Sequence, residues 1–257
     1  MKILLTAIFT FLFIFQGSAQ KSAMVQGQEN IVNDHGAIIR FDTTKKNIYL
    51  VFTAHEFGDG AETILSVLKK QQIHASFFFT GDFYRNKKFS QAIQQLVKDG
   101  QYLGGHSDKH LLYAPWERRD STLISREEFE KDLHANYTAM EKFGITKNNA
   151  RYFLPPYEWH NDTIARWVNE NGLQLVNFTP GTSSNADYTT PDVRNYLSSD
   201  SILQRILRYE KRSTSGLNGF LLLTHFGVDE KRTDKFYLKL DELITRLKQR
   251  GYSFKRL

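Results

Sequence analysis

Gly219-Phe220-Leu221-Leu222-Leu223-Thr224 (residues 219–224) places four apolar residues in a row between a glycine and a threonine. A strand with one face in water alternates apolar and polar residues, whereas a strand covered on both faces is apolar along its whole length. This stretch therefore predicts a strand buried on both faces, as in a parallel sheet.

Strand-like and helix-like segments alternate on either side of this strand, from Asn47 to the last residues. Two helices have marked ends. Ser125 with Glu128 forms a capping box, and Asn161 precedes a helix that Gly172 ends. Roughly seven β–α units follow one another without a linker, which predicts a parallel sheet in a single domain. Strands are expected at residues 48–53, 75–80, 102–104, 151–154, 173–178, 219–224 and 252–254, and helices at residues 61–72, 89–98, 126–143, 161–171, 198–209 and 235–249.

The polar residues at the ends of these strands favour a closed barrel with a functional rim. No glycine-rich dinucleotide fingerprint is present, so a barrel is favoured over an open doubly wound sheet. In a barrel of parallel strands, active residues lie at the carboxyl ends of the strands. The polar stretches at those ends are Thr53–Glu56, Thr80–Asp82, His106–His110, Pro155–Tyr157, Thr179–Tyr188 and His225.

The first residues predict export. Lys2 precedes an apolar run that extends to Phe15, and the small residues Gly17-Ser18-Ala19 follow. Because a bilayer span needs about 20 apolar residues, we expect a cleaved signal peptide over residues 1–19 and no membrane span after cleavage. Residues 20–45 are expected to form an irregular arm and residues 46–257 the folded domain. The protein is expected to be periplasmic or extracellular.

Composition removes several classes of function. The chain has no cysteine, which rules out disulfides and a thiol nucleophile. The formal charge is +6 with both signs spread along the chain, and no basic block interleaved with aromatic residues argues for nucleic acid as a partner. This charge supports a mild attraction to anionic polymers or surfaces. The oligomeric state is not indicated.

The pair His106 and His110, in Gly105-His106-Ser107-Asp108-Lys109-His110, is the clearest candidate for metal binding. Neutral imidazole is a preferred ligand of zinc and similar divalent ions. Spacing of i, i+4 on a helical turn would point both rings the same way. The alternative is a pair of hydrogen-bonded polar side chains.

The order and spacing of the strand ends resemble those of the polysaccharide deacetylases, the NodB-homology family 4 of carbohydrate esterases, from about Asn47 to Leu257. His106–His110 matches the family's H-S/T-x-x-H motif, although Leu111 replaces the usual proline. Leu154-Pro155-Pro156-Tyr157 matches R-P-P-Y with leucine in place of arginine. Three further segments are similar to family motifs: Ile73–Gly81, Leu221–His225 and Lys248–Phe254.

The resemblance implies a distorted (β/α)7 barrel and a divalent metal, above all zinc, with nickel, cobalt or manganese as compatible ions. Two histidines and one carboxylate would bind it and leave positions open for water and substrate. His225 corresponds to the catalytic acid of the family, and Asp187 is a candidate for orienting it. Tyr157, Trp159 and Tyr188, with Trp116, are candidates for stacking on sugar faces.

The first family motif is altered. The family has T-F-D-D, in which the first aspartate is the base and the second is a metal ligand. This chain has Thr53-Ala54-His55-Glu56 at the same place. The match implies His55 as the base and Glu56 as the metal ligand, with Asp59 as a reserve ligand. A histidine base is consistent with Leu154, since a nearby arginine would disfavour the imidazolium formed on proton uptake.

Three functions are compatible with this pattern. The favoured one is an exported, metal-dependent deacetylase that removes N- or O-acetyl groups from a polysaccharide by means of a metal-activated water. The alternative is a non-catalytic carbohydrate-binding protein with a degenerate deacetylase site. A third, weaker option is hydrolysis of another amide on a small molecule.

Overall fold

The computed structural model describes residues 30–257, so the predicted signal peptide lies outside the described residues. The strands are β1 (Val32–Asp34), β2 (Ala37–Arg40), β3 (Asn47–Ala54), β4 (Ser76–Phe79), β5 (Tyr102–Gly105), β6 (Tyr152–Phe153), β7 (Gln174–Leu175), β8 (Phe220–His225) and β9 (Ser253–Lys255). The α-helices are α1 (Ala61–Gln71), α2 (Gly81–Arg85), α3 (Ser90–Lys98), α4 (Arg126–Glu141), α5 (Asp162–Glu170), α6 (Ser199–Arg212) and α7 (Leu240–Gln249). Short 3-10 turns lie at Lys87–Phe89, Pro156–Glu158, Ser184–Tyr188 and Phe236–Lys239.

The sheet has the order β1-β2-β8-β3-β4-β5-β6-β7. β3 is central: it pairs in parallel with β8 on one edge, and with β9 and then β4 on the other. A backbone bridge between Ile38 and Val176 joins β2 to the residue that follows β7, so the sheet curls until its two sides meet. The arrangement confirms the predicted α/β fold, a distorted barrel in a single domain.

Side chains of β8 alternate between two apolar clusters, which explains its continuous apolar run. Leu221 and Leu223 are buried inside the barrel with Val51 and Phe78. Phe220 and Leu222 are buried in the larger cluster between the sheet and the helices. Each fully buried side chain of this size contributes about 1.5–3 kcal/mol to folding. The strand thus links the barrel interior to the outer layer.

The first described residues form a hairpin that the sequence analysis did not predict. β1 and β2 pair in antiparallel fashion across His35 and Gly36, both of which have positive φ (43° and 77°). A two-residue loop with two positive φ angles is the hairpin turn that suits the twist of the strands. The expectation of an irregular arm is therefore wrong for residues 32–40.

The predicted helix at residues 89–98 is confirmed as α3, which begins one residue later than expected. Capping explains the two short elements before it, α2 and a 3-10 turn, which the sequence did not predict. The Thr80 side chain accepts a hydrogen bond from the Phe83 N–H and begins α2, and the Asn86 side chain accepts one from the Lys88 N–H and begins the turn. Within residues 30–257, no helix combines the length and the apolar character that a bilayer crossing requires.

Candidate active site

A cavity of about 710 Å³ opens at the rim where β3, β5 and β8 end. This is the rim at which the sequence analysis expected a site, because the carboxyl ends of parallel strands meet there. The predicted residues that line the cavity are His55, Glu56, His106, His110, Tyr157, Tyr188 and His225, together with Trp116. Asp187 and Trp159 lie behind this lining and contact it.

The His106–His110 segment is a loop, and the expectation of a helical turn is wrong. Ser107 and His110 have φ values of 69° and 55°, which lie outside the right-handed helical region. The carboxylate of Asp132 holds the loop by accepting hydrogen bonds from the backbone N–H groups of Asp108 (2.9 Å) and Lys109 (3.0 Å). The two rings nevertheless lie together, with centroids 5.1 Å apart. Their proximity comes from a curled loop.

His106 and His110 are neutral, as metal ligands must be. Burial, opposed by a hydrogen bond to Leu154, lowers the pKa of His106 to about 3. Burial and the neighbouring His106 lower the pKa of His110 to about 2. His106 Nδ1 lies 2.8 Å from the Leu154 carbonyl oxygen, and because that oxygen only accepts, Nδ1 carries the proton. The lone pair is then on Nε2, the tautomer in which a second contact orients a ligating imidazole.

His55 lies beside this pair. Its ring stacks on that of His110 with centroids 4.9 Å apart and planes 8° from parallel. His55 Nδ1 is 3.1 Å from the hydroxyl of Thr80. His55 Nε2 has no hydrogen-bonding partner within residues 30–257. The side chain of Glu56 is 66% exposed, and its nearer oxygen is 3.9 Å from His55 Nε2. The structure thus brings three imidazoles together, with the carboxylate at the mouth.

The predicted metal set of Glu56, His106 and His110 is not gathered into one group. Within residues 30–257, no three His, Asp or Glu side chains are arranged so that they could hold a metal ion. Asp59, the predicted reserve ligand, accepts hydrogen bonds from the Val228 N–H (2.7 Å) and the Tyr237 hydroxyl (2.8 Å) and also pairs with a lysine. Two neutral imidazoles suit a divalent metal chemically, and the third ligand is displaced toward solvent.

His225 forms a partly buried ion pair with Asp187. The distance from His225 Nδ1 to Asp187 Oδ1 is 2.7 Å, and the His225 backbone N–H donates to the other carboxylate oxygen (2.9 Å). Burial alone would lower the pKa of His225, but the charge and hydrogen bond of Asp187 outweigh it and raise the pKa. The Tyr188 ring lies 5.2 Å from the imidazole. The predicted orienting contact of Asp187 is therefore present.

Glu158 is a cavity residue that the sequence analysis missed, although it directly follows the Pro-Pro-Tyr segment. Burial, and secondarily the charge of Asp187, raise its pKa to about 7, and nearby His225 acts in the opposite direction. Its φ of 52° is strained for a residue other than glycine. The Asn177 side-chain amide donates to its carbonyl at 2.7 Å and holds this conformation. The site thus contains a carboxyl group that titrates near neutrality.

Glu158 gives a testable pH dependence of stability. Its pKa is higher in the folded than in the unfolded protein, so the stability contributed by the protonated carboxyl is complete at acidic pH and lost as the pH rises toward 7. We expect Glu158→Gln to stabilise the protein at pH 8 by about 1–2 kcal/mol, after allowance for partial exposure. Urea unfolding at pH 5 and pH 8 measures this. The exposed Glu170→Gln is the control, and an equal response of both variants would contradict the assignment.

The aromatic residues form the cavity mouth. Tyr157 is 44% and Trp116 53% exposed, and Tyr157 lies 4.3 Å from the His110 ring. Trp159 differs from its predicted role: its indole donates to the Pro115 carbonyl (3.0 Å), and its ring packs behind that of Trp116 at 5.9 Å. Trp116, Tyr157 and Tyr188 thus present rings to the cavity, and Trp159 supports one of them.

Comparison of the sequence with known proteins gives one matching family profile and several relatives. The sequence profile of the family described as polysaccharide deacetylase matches residues 40–176. A peptidoglycan-N-acetylglucosamine deacetylase of Bacillus cereus is 25% identical over 203 residues, which cover 77% of this chain and 82% of the relative. A peptidoglycan-N-acetylmuramic acid deacetylase of Bacillus subtilis is 23% identical over 227 residues, which cover 88% and 75%.

A similar fold is found among solved structures. A family 4 carbohydrate esterase pseudoenzyme from Bacillus anthracis matches with a TM-score of 0.67 at 22% identity, over 88% of this chain and 68% of that one. The Bacillus subtilis relative matches with a TM-score of 0.65 at 23% identity, over 86% of this chain and 83% of that one. At these identities the structural matches establish the fold.

Proposed function

Because this chain belongs to the polysaccharide deacetylase family, we propose that it is an exported hydrolase that removes acetyl groups from a polysaccharide. The observation that carries the proposal is the rim cavity, which joins His55, the neutral pair His106 and His110, and the His225–Asp187 ion pair. The names of two relatives make acetylated peptidoglycan the first substrate to test. N-acetyl and O-acetyl groups are both within the proposed chemistry.

His225 is the proposed catalytic acid. Its raised pKa keeps a proton available, and the ion pair with Asp187 fixes the ring with Nδ1 toward the carboxylate. The other nitrogen, Nε2, then donates a proton to the leaving amine or alcohol. Asp187 acts through His225 as a positioning residue.

His55 is the proposed base. With Nδ1 held by the Thr80 hydroxyl, Nε2 takes the proton of the attacking water. Leu154, which is fully buried in the barrel interior, stands where the family motif has an arginine. No guanidinium at this position therefore opposes proton uptake by His55. The rings of Tyr157, Trp116 and Tyr188 would bind the sugar faces.

His106 and His110 would hold a divalent metal, with zinc as the first candidate and Glu56 as the third ligand. When bound, the metal would polarise the acetyl carbonyl and lower the pKa of a bound water. The Leu154 carbonyl and Asp132 orient the two histidines for this purpose.

Metal retention tests the assignment of His110 independently of activity. We expect His110→Ala to retain zinc at least tenfold more weakly than the unchanged protein, since it removes one of two pre-oriented imidazoles. Metal content after dialysis against graded chelator measures the loss. His134→Ala, which removes an exposed histidine of α4, is the matched control. Equal zinc retention by all three proteins would refute the site.

A second candidate function is carbohydrate binding without catalysis. Two observations favour it: the displaced Glu56 leaves the metal set incomplete, and the similar Bacillus anthracis structure is described as a pseudoenzyme. Acetate release from a panel of acetylated glycans, with and without chelator, separates the two functions. Release that chelator abolishes supports the metal-dependent enzyme. Absence of release from every glycan, with binding retained, supports the second function.

A further inference from the structure

A second cavity, of about 480 Å³, lies between α6 and α7 and is lined by five cations together with Gln204 and Leu207. Arg208, Lys211 and Arg212 line it from α6, and Arg246 and Arg250 from the end of α7. We call this group the basic cavity. No carboxylate of residues 30–257 is among its lining residues. Such a concentration of positive charge has no role in the rim chemistry.

The cations form two facing stripes. Residues 208 and 212 are four apart on α6, as are residues 246 and 250 across the end of α7, so each pair lies on one face over about one turn. Like charges at this spacing destabilise a helix. The helix dipole favours cations in the last turn of each helix, but it does not explain why both helices turn them toward one cavity.

Two of the five cations are held in place from outside the cavity. Arg250 pairs with Glu210, and Arg246 pairs with Glu242 at 2.7 Å, and neither carboxylate lines the cavity. The other three, Arg208, Lys211 and Arg212, form no ion pair with any residue of the described chain from 30 to 257. Their charge is available to a ligand.

The basic cavity lies at the end of the barrel opposite the rim. α6 and α7 run back along the strands, so their last turns lie near the starts of β8 and β9, whereas His225 ends β8. The six residues of β8 separate the two ends by about 16 Å. A ligand in the basic cavity therefore does not occupy the rim cavity.

We propose that the basic cavity binds a linear phosphate polymer. One guanidinium group can donate two parallel hydrogen bonds to two oxygens of a phosphate, which makes arginine the preferred residue for this ligand. The cations are distributed along a full helical turn on both sides, which matches consecutive phosphates of a chain better than one isolated ion. The net positive charge of the protein favours the same partner. Binding there would retain the protein at an anionic polymer while the rim remained open.

The test is calorimetric titration of the full chain with long-chain inorganic polyphosphate at several salt concentrations. Inorganic phosphate, polyglutamate and anionic lipid vesicles are the comparison ligands. We expect polyphosphate to bind most tightly. Arg208→Gln combined with Arg212→Gln should weaken this binding by roughly tenfold or more and lower the salt slope by about 2. Lys131→Gln combined with Arg166→Gln removes equal charge from α4 and α5 and should bind as the unchanged protein does.

Several outcomes would overturn the proposal. These are equal weakening in both double variants, binding of polyglutamate or vesicles as tight as that of polyphosphate, tighter binding of inorganic phosphate, and no binding of polyphosphate. All four substituted side chains are exposed, so both double variants should melt at the temperature of the unchanged protein. Acetate release from soluble glycans should be the same in all three proteins, which separates this test from that of the rim chemistry.

Discussion

Replacing His225 with alanine is expected to lower kcat for acetate release by about 10²–10⁴-fold, because the proposed acid is lost. KM should change little, since the ring donates to the leaving group and does not bind the sugar. The comparison variant is Trp159→Phe, which lies behind the cavity lining and should keep kcat within a few-fold. An unchanged kcat in His225→Ala would remove His225 from the mechanism.

The pH profile separates a catalytic acid from a structural histidine. An acid must be protonated to act, so activity should fall as the pH rises through the pKa of His225, which Asp187 raises. Asp187→Asn removes the charge that outweighs burial, and the alkaline limb should therefore move to lower pH. A limb that stays in place in Asp187→Asn would show that another group controls it.

Replacing His55 with alanine is the second change with a large expected effect. Loss of the proposed base should lower kcat by about 10²–10⁴-fold without loss of glycan binding. His55→Asp restores a carboxylate base and should recover part of this loss, since an ionised aspartate also takes a proton. Zinc content must be measured in parallel, because His55 stacks on His110.

The results for His55 discriminate between the two proposed functions. If His55→Ala releases acetate as fast as the unchanged protein, His55 is not the base. If neither protein releases acetate and both bind glycan equally, the carbohydrate-binding function is favoured. A fall in kcat together with loss of zinc would assign His55 to metal binding.

Sequence patterns predicted the barrel because its strands are buried on both faces, as the apolar run of β8 shows. They also placed His55, His106 and His225 at one rim, since polar residues followed successive strands. The loop at His106–His110 could not be predicted, because its shape depends on Asp132, which comes more than 20 residues later in the chain. The position of Glu56 depends on side-chain geometry at the cavity mouth, which spacing does not encode.

Local turn chemistry accounts for the remaining differences. The His35-Gly36 pair is typical of a hairpin turn. The strands on either side of it, β1 and β2, are only 3 and 4 residues long and so give little sequence pattern. The Pro-Pro-Tyr segment ends one residue before Glu158, so that motif does not mark this glutamate. Its importance becomes visible only when the fold brings it near His225.

The pairing of β9 with the first residues of the central strand β3 has a consequence for the timing of folding. Ser253 pairs with Asn47, and the Leu257 N–H donates to the Ser76 hydroxyl, so contacts that complete the middle of the sheet span about two hundred positions. Pairings this distant are slow to form and cannot precede synthesis of the last strand. A chain still emerging from the ribosome therefore has an unfinished sheet centre, and β3 gains its last neighbour only after the whole chain has been synthesised.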